Sequence, residues 1–331
     1  MKLRDRMDPQ LLDGLDAFIA GTRPRGLAGI ADPVERRATF GELMAAAEQE
    51  PNPSICTRDY LVPGPPGAPE VRLRVYRPVG VEGALPALYY IHGGGMVIGA
   101  IETEEAIARS LCAAVGCSAV SVDYRLAPEN QHPAPVEDCY AGLVWTAENA
   151  ARIGIEAGRI AVYGGSAGGG LAAATALLAR DRGGPALAFQ MLLYPMLDDR
   201  CDSPSCAEID TIGVFDGWAS REGWQALLGE RWGADALEPL AVPARAVDLA
   251  GLPPAWIDVG ELDALRDESV AYATGLMQAG VATDLHVYPG AFHAWEVFVP
   301  DADSSRRVVA DRIAALRRVF ALEEDGRPIP S

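Results

Sequence analysis

The 331 residues carry 28 basic against 46 acidic side chains, a formal net charge of −18, and 49% of them are apolar. That balance repels phosphate backbones and anionic lipid headgroups, while the apolar content calls for a large packed core and argues against disorder. No run approaches the ~18 apolar residues of a membrane span, and MKLRDRMDPQ puts charges where a secretory signal needs an apolar stretch. A cytoplasmic location without nucleic-acid or membrane partners is the resulting expectation.

The first fifty residues read as two helices. One places Leu3, Met7, Leu11, Leu15, Phe18 and Ile19 along a single face, and the other runs from Val34 to about Ala47. After a Pro-rich break, extended runs at 55–62 and 71–76 flank the turn-forming PGPPGAP and read as an antiparallel pair. From Leu85 onward short apolar runs alternate with helical stretches. Strands are expected at 87–91, 119–123, 160–163, 189–194, 255–259 and 285–288, and a closing helix at 304–321. That alternation predicts an α/β fold on a mostly parallel sheet. Residues from about Leu197 to Leu252 break the rhythm with their own helix signal at 218–228, as a lid inserted between two core strands would.

Three loops at the carboxyl ends of predicted strands hold the chemistry-bearing residues. The first is His92-Gly93-Gly94-Gly95, where the missing side chains let amides approach an anion closely. The N–H groups of Gly93 and Gly94, joined by that of Ala167, are the expected oxyanion-hole donors. His92 itself is expected to hold its loop by hydrogen bonds. Met96, just beyond, is expected to form a soft wall of the substrate pocket.

The second loop is Gly164-Gly165-Ser166-Ala167-Gly168, a GxSxG lying between a β-like run and an alanine-rich helix. A serine at a sharp strand-to-helix turn is strained, and side chains two positions to either side would collide, so glycine is required there. Ser166 is therefore the expected nucleophile. A phosphate cradle is disfavoured, because there is no GxxxxGK[ST] and no dinucleotide fingerprint.

The third loop supplies the base. Only four histidines exist. His92 belongs to the glycine loop, His132 to a Pro-rich segment and His286 to a strand, which leaves His293, after the strand ending near Tyr288 and the turn Pro289-Gly290-Ala291. The carboxylate should lie between serine and histidine in chain order, on another post-strand loop. Asp263 in Gly260-Glu261-Leu262-Asp263 fits best, with Asp267 and Glu261 as substitutes. The six cysteines form no CxxC pair and read as free thiols, and neither a metal nor an organic cofactor is called for.

Taken together, HGGG, DYRLAPE at 123–129, GGSAGG, GELDALRDE and YPGAFHAW resemble the bacterial hormone-sensitive-lipase family of carboxylesterases, with matches spread over 76–293. The resemblance implies an α/β-hydrolase fold with a sheet of about eight strands. It implies a catalytic domain of residues 51–196 and 253–331, capped by residues 1–50 and by an insertion at 197–252. It also implies hydrolysis of short- to medium-chain acyl esters by a Ser166–His293–Asp263 triad, and dimerisation through the sheet edge and last helix. Arg125 is expected to pair acids beneath the site. Gly165 departs from the family, which has Asp, Glu or Thr before the serine, so a supporting hydrogen bond is missing from the elbow. An amidase using the same machinery is the alternative enzyme. A small-molecule receptor of this fold is the alternative outside catalysis, and His293, which such receptors lack, speaks against it.

Overall fold

The computed structural model describes residues 3–20, 26–47 and 52–322. Its centre is an eight-stranded sheet of β1 (Ile55–Val62), β2 (Val71–Pro78), β3 (Leu85–Ile91), β4 (Ser118–Asp123), β5 (Ile155–Gly165), β6 (Phe189–Leu193), β7 (Ala255–Leu262) and β8 (Thr283–Phe292), in the spatial order β1-β2-β4-β3-β5-β6-β7-β8. The β1–β2 and β2–β4 pairings are antiparallel and the others parallel. The antiparallel opening and the parallel remainder agree with the reading of the sequence. Strands β3, β4 and β6 and the 160–164 stretch of β5 are almost wholly buried, as apolar strands covered on both faces must be.

Helices cover both faces. On one side α4 (Ala134–Glu148), α5 (Ala150–Ile153), α6 (Ala167–Asp181) and α9 (Arg266–Gln278) enclose a core that includes Leu143, Leu177 and Ile257. On the other, α3 (Glu105–Val115) and α11 (Asp303–Val319), with the short α10 (Trp295–Phe298), bury Leu88, Met191, Trp256 and Leu316. α6 is a helix of small residues lying deep in the molecule, and 13 of its 15 residues are buried. Three of them are glycines pressed against the chain beyond β6 or the loop after β3. An added Cβ on Gly168 would stand 2.2 Å from the Ile91 carbonyl oxygen, and one on Gly170 would stand 2.0 Å from that of Met196.

The interrupting segment carries α7 (Pro204–Glu208) and α8 (Gly217–Leu228). Asp216 caps α8 by accepting from the Ala219 N–H at 3.1 Å. Before β1 come α1 (Pro9–Ala20) and α2 (Pro33–Ala47). The buried guanidinium of Arg36 on α2 clasps Glu222 on α8 through two hydrogen bonds of 3.0 and 2.7 Å, so the two segments meet over the sheet's carboxyl edge. Further forward, the Asp8 N–H donates to the Gly290 carbonyl at 3.1 Å, and Arg6 donates to Glu261 at 2.8 Å.

Several strands are longer than expected, β5 beginning already at Ile155, and for β7 and β8 the physical reason is plain. β7 and β8 run on to Leu262 and Phe292, absorbing the Pro289-Gly290-Ala291 turn as a shift of register. Gly260 makes this close approach feasible, since a Cβ there would stand 2.3 Å from the Ala291 carbonyl oxygen. All six cysteines are free thiols. No helix among the described residues is long and apolar enough to cross a membrane.

Candidate active site

Strand β5 ends at Gly165, and α6 starts at Ala167, so Ser166 alone makes the turn. Its φ of 57° and ψ of −122° lie where a side chain is strained. Three backbone bonds hold it there: its N–H donates to Leu193 O at 2.9 Å, and its carbonyl accepts from Met196 at 2.9 Å and Gly170 at 3.0 Å. A Cβ on Gly164 would stand 2.2 Å from the Gly168 carbonyl oxygen, which is the collision inferred from the sequence.

His293 Nε2 lies 3.0 Å from Ser166 Oγ, and His293 Nδ1 lies 2.8 Å from Asp263 Oδ2. The other Asp263 oxygen accepts the Leu265 N–H at 2.9 Å, fixing the plane of the carboxylate. Because β7 and β8 are neighbours, their ends deliver acid and base side by side, and 127 residues of chain separate the histidine from the serine that it meets. The imidazole is bracketed by Tyr194 and Phe215, with ring centroids 4.7 and 4.8 Å from its own. All three polar residues are buried, so little water competes for their hydrogen bonds.

The substitute acids are engaged elsewhere. Asp267 accepts from the Ser205 N–H at 2.7 Å and from Arg266, while Glu261 holds Arg6 and the Gly290 N–H. His92 stacks on Tyr124 at 4.2 Å, and its Nδ1 lies 2.8 Å from the Gly93 carbonyl, as its loop-holding assignment required. His132 lies instead against Pro135, Leu227 and Leu240, with burial lowering its pKa. Arg125 pairs with Asp138 at 2.7 and 2.8 Å.

Two expectations need correction. The Gly93 N–H does not face an open site, because it donates to Glu104 Oε1 at 2.8 Å. The N–H groups of Gly94, Gly95 and Ala167 donate to nothing among the described residues, so the free glycine-loop donors are those of Gly94 and Gly95. Met96 does not wall the substrate cavity either. At φ 68° its side chain turns into the interior, where it is 2% exposed against Val136, Leu171 and Trp224. The wall is formed instead by Val97, Ile98 and Phe215.

The cavity at Ser166 has a volume of about 720 Å³ and reaches from the glycine loop between α3 and α11 to the inner faces of α1 and α2. Its apolar wall includes Phe18, Phe40, Ile107 and Phe298. At the inner end stand Tyr90, Tyr163 and Tyr194 with Glu104, Glu296 and Arg312, a polar group that the sequence reading missed entirely. Arg312 is 3% exposed, bonds Asp258 twice at 2.8 and 2.7 Å and reaches Glu296 at 2.6 Å. Glu296 also accepts from Tyr194 Oη at 2.7 Å. Burial drives the pKa values of Tyr90 and Tyr194 well above the ordinary tyrosine range, so both stay hydrogen-bond donors at neutral pH. The only cue was Arg312 interrupting the apolar stripe of a C-terminal helix, and such a residue reads as exposed unless its partners are known.

The chain is similar to proteins of known fold over most of its length. A family model described as the alpha/beta hydrolase fold matches residues 88–297. Carboxylesterase NlhH of Mycobacterium tuberculosis is 38% identical over 298 residues, covering 88% of this chain and 91% of its own length. Esterase LipI of the same species is 36% identical over 327 residues, covering 95% of each chain. Among solved structures, a bacterial heroin esterase superposes with a TM-score of 0.90 at 38% identity, covering 96% of this chain and 98% of its own.

Proposed function

The chain belongs to the α/β-hydrolase family, and on that premise we propose that it is a serine carboxylesterase acting on short- to medium-chain acyl esters. The observation that carries the reading is the continuous hydrogen-bonded line from Asp263 through His293 to Ser166 Oγ, at 2.8 and 3.0 Å. Which ring nitrogen carries the proton follows from that line: the buried carboxylate accepts from Nδ1–H, leaving Nε2 free to act as base.

Ser166 Oγ attacks the ester carbonyl carbon as its proton passes to His293 Nε2. The carbonyl oxygen becomes an oxyanion held by the N–H groups of Gly94, Gly95 and Ala167, each donor contributing about 3 kcal/mol of transition-state stabilisation. The tetrahedral adduct collapses, His293 returns the proton to the departing alcohol, and an acyl ester remains on Ser166. Water then repeats the sequence, releasing the carboxylic acid and restoring the hydroxyl. The start of α6 adds its positive end to the charge stabilisation. We assign residues 1–50, of which 1–2, 21–25 and 48–50 lie outside the described residues, and 197–252 to a cap over this site, and Arg36–Glu222 is the clasp that supports the assignment.

Hydrolysis of p-nitrophenyl esters from acetate to decanoate tests the reading. Activity should peak at the shorter chains and vanish in Ser166→Ala. A clear preference for the longest, micellar esters, or a Ser166→Ala variant that keeps its rate, overturns it. Parallel assays on the corresponding anilides decide between ester and amide cleavage.

A further inference from the structure

We propose that the inner end of the Ser166 cavity is a subsite for an alkylammonium group, so that the preferred esters carry a positive charge close to the scissile bond. The proposal rests on the esterase reading above and names the substrate class of the same site.

Seven charged residues line the cavity, and six of them meet an opposite charge: Arg36 with Glu222, Glu102 with Arg72, Arg109 with Glu105, and Glu296 with Arg312. Glu104 is the exception, with no cation in salt-bridge reach among the described residues. Its Oε1 accepts from the Gly93 N–H at 2.8 Å and its Oε2 from Tyr90 Oη at 2.6 Å. A carboxylate offers about four lone-pair sites, so one on each oxygen remains unused.

A second carboxylate in the same chamber is also incomplete. Glu296 Oε1 takes both Tyr194 and Arg312, whereas Oε2 is buried without a partner, on a side chain only 6% exposed. Arg312 divides its single charge between Glu296 and Asp258, so the trio stays net negative. Glu296 thus adds negative charge behind the chamber wall, while its unpartnered Oε2 is shut off from the open space, so Glu104 is the carboxylate left to meet a ligand.

The remaining walls are aromatic. Tyr90 and Tyr163 stack at 4.9 Å, and Tyr194 closes the third side. Aromatic faces combined with carboxylates are the arrangement that retains ammonium groups, whose charge is attracted to the ring quadrupole. Gly165 leaves this chamber open to the nucleophile. A Cβ there would stand 3.3 Å from Tyr194 Cε2 and 3.5 Å from Tyr194 Oη, so a longer side chain would fill the passage. The chamber is close to the chemistry, since the position a Gly93 Cβ would take is 3.3 Å from Glu104 Oε1 and 3.6 Å from Ser166 Cβ. An ammonium a few bonds from the ester carbonyl reaches both, and the net charge of −18 favours its approach.

The test compares charged esters with uncharged isosteres. Acetylcholine is assayed against neohexyl acetate, placing the charge on the alcohol side. The ethyl ester of γ-trimethylammoniobutyrate is assayed against its tert-butyl carbon analogue, placing it on the acyl side. In at least one pair kcat/KM should favour the cation by about tenfold, and in Glu104→Gln that ratio should fall to near unity. The ratio cancels any general effect of Glu104 on the glycine loop. Tetramethylammonium should compete with neohexyl acetate in the wild type and much less in Glu104→Gln. Ratios near unity for both pairs in the wild type, or a ratio unmoved by Glu104→Gln, overturn the subsite. Loss of neohexyl acetate hydrolysis in Ser166→Ala would still uphold the esterase reading in that case.

Discussion

Replacing Asp263 by Asn separates the geometry of the triad from its proton economy. The Leu265 N–H donates to Asp263 Oδ1 at 2.9 Å, and an asparagine keeps that bond only with its amide oxygen on the same side. Its NH2 then faces His293 Nδ1, where the carboxylate oxygen had been at 2.8 Å. Two donors cannot share that line, so the ring shifts its proton to Nε2 and points N–H at Ser166 Oγ. The lone pair needed to take the serine proton is lost although no atom has moved far. A serine triad whose histidine is held in the wrong tautomer loses ~10⁴-fold in kcat, about 5.4 kcal/mol of barrier, and that is the fall expected here, with KM little changed. Initial rates on p-nitrophenyl acetate with circular dichroism as the folding control read this out. Asp267→Asn, which alters a carboxylate bound to Ser205 and Arg266, should move kcat less than about threefold. An Asp263→Asn enzyme retaining more than a tenth of wild-type kcat would refute the role assigned to Asp263.

Three further outcomes follow from packing and charge. Gly168→Ala should destabilise the fold by about 3 kcal/mol or more, seen as a lowered denaturant midpoint, because the new methyl would stand 2.2 Å from the Ile91 carbonyl oxygen. Arg312→Met leaves Asp258 and Glu296 buried without their cation and should cost about 3–5 kcal/mol in the same measurement, whereas the exposed Arg318→Met should cost under about 1. Burial raises the pKa of Glu268, whose Oε1 accepts from the Leu197 N–H at 2.7 Å. A raised folded-state pKa gives stability that is full below the unfolded value and is lost as pH climbs toward the folded one, at about 1.4 kcal/mol per tenfold change in proton affinity. The stability of Glu268→Gln relative to wild type should therefore increase as pH rises from 4 to 8, and a difference flat in pH would contradict it.

How far the sequence could be read depended on whether a signal was local. Ser166 was legible because the Gly164 and Gly168 collisions are set by a five-residue turn, and His293 because only four histidines had to be placed. The succession of β3 to β8 along the chain follows from alternating runs whose periodicity needs no knowledge of partners, whereas the place of β4 between β2 and β3 in the sheet does not. Asp263 is favoured over Asp267 and Glu261 by its place at the turn after the strand and by the family resemblance, since chain order admits all three, and the structure adds what occupies the other two: Ser205 and Arg266 hold Asp267, and Arg6 holds Glu261. The Gly93 assignment failed for the same reason. Nothing in HGGG says that Glu104, eleven residues on, turns back to take the first glycine's N–H. Met96 failed because the direction of a side chain after consecutive positive-φ residues at Gly94 and Gly95 is a backbone property invisible in composition. The tyrosine and carboxylate chamber was illegible altogether, since its members come from β3, β5, the end of β6, the turn before α3, and α10 and α11.

The link from Arg6 and Asp8 to Glu261 and Gly290 has a consequence for synthesis. The ribosome makes the start of this link long before its docking turn exists, and at 5–20 residues per second the wait is roughly 15–60 s. Throughout that interval the apolar stripe of α1, with Leu11 and Leu15 destined for burial, has no surface to cover. Slow translation anywhere between the end of α1 and residue 290 lengthens that exposure, whereas slow translation beyond residue 290 does not.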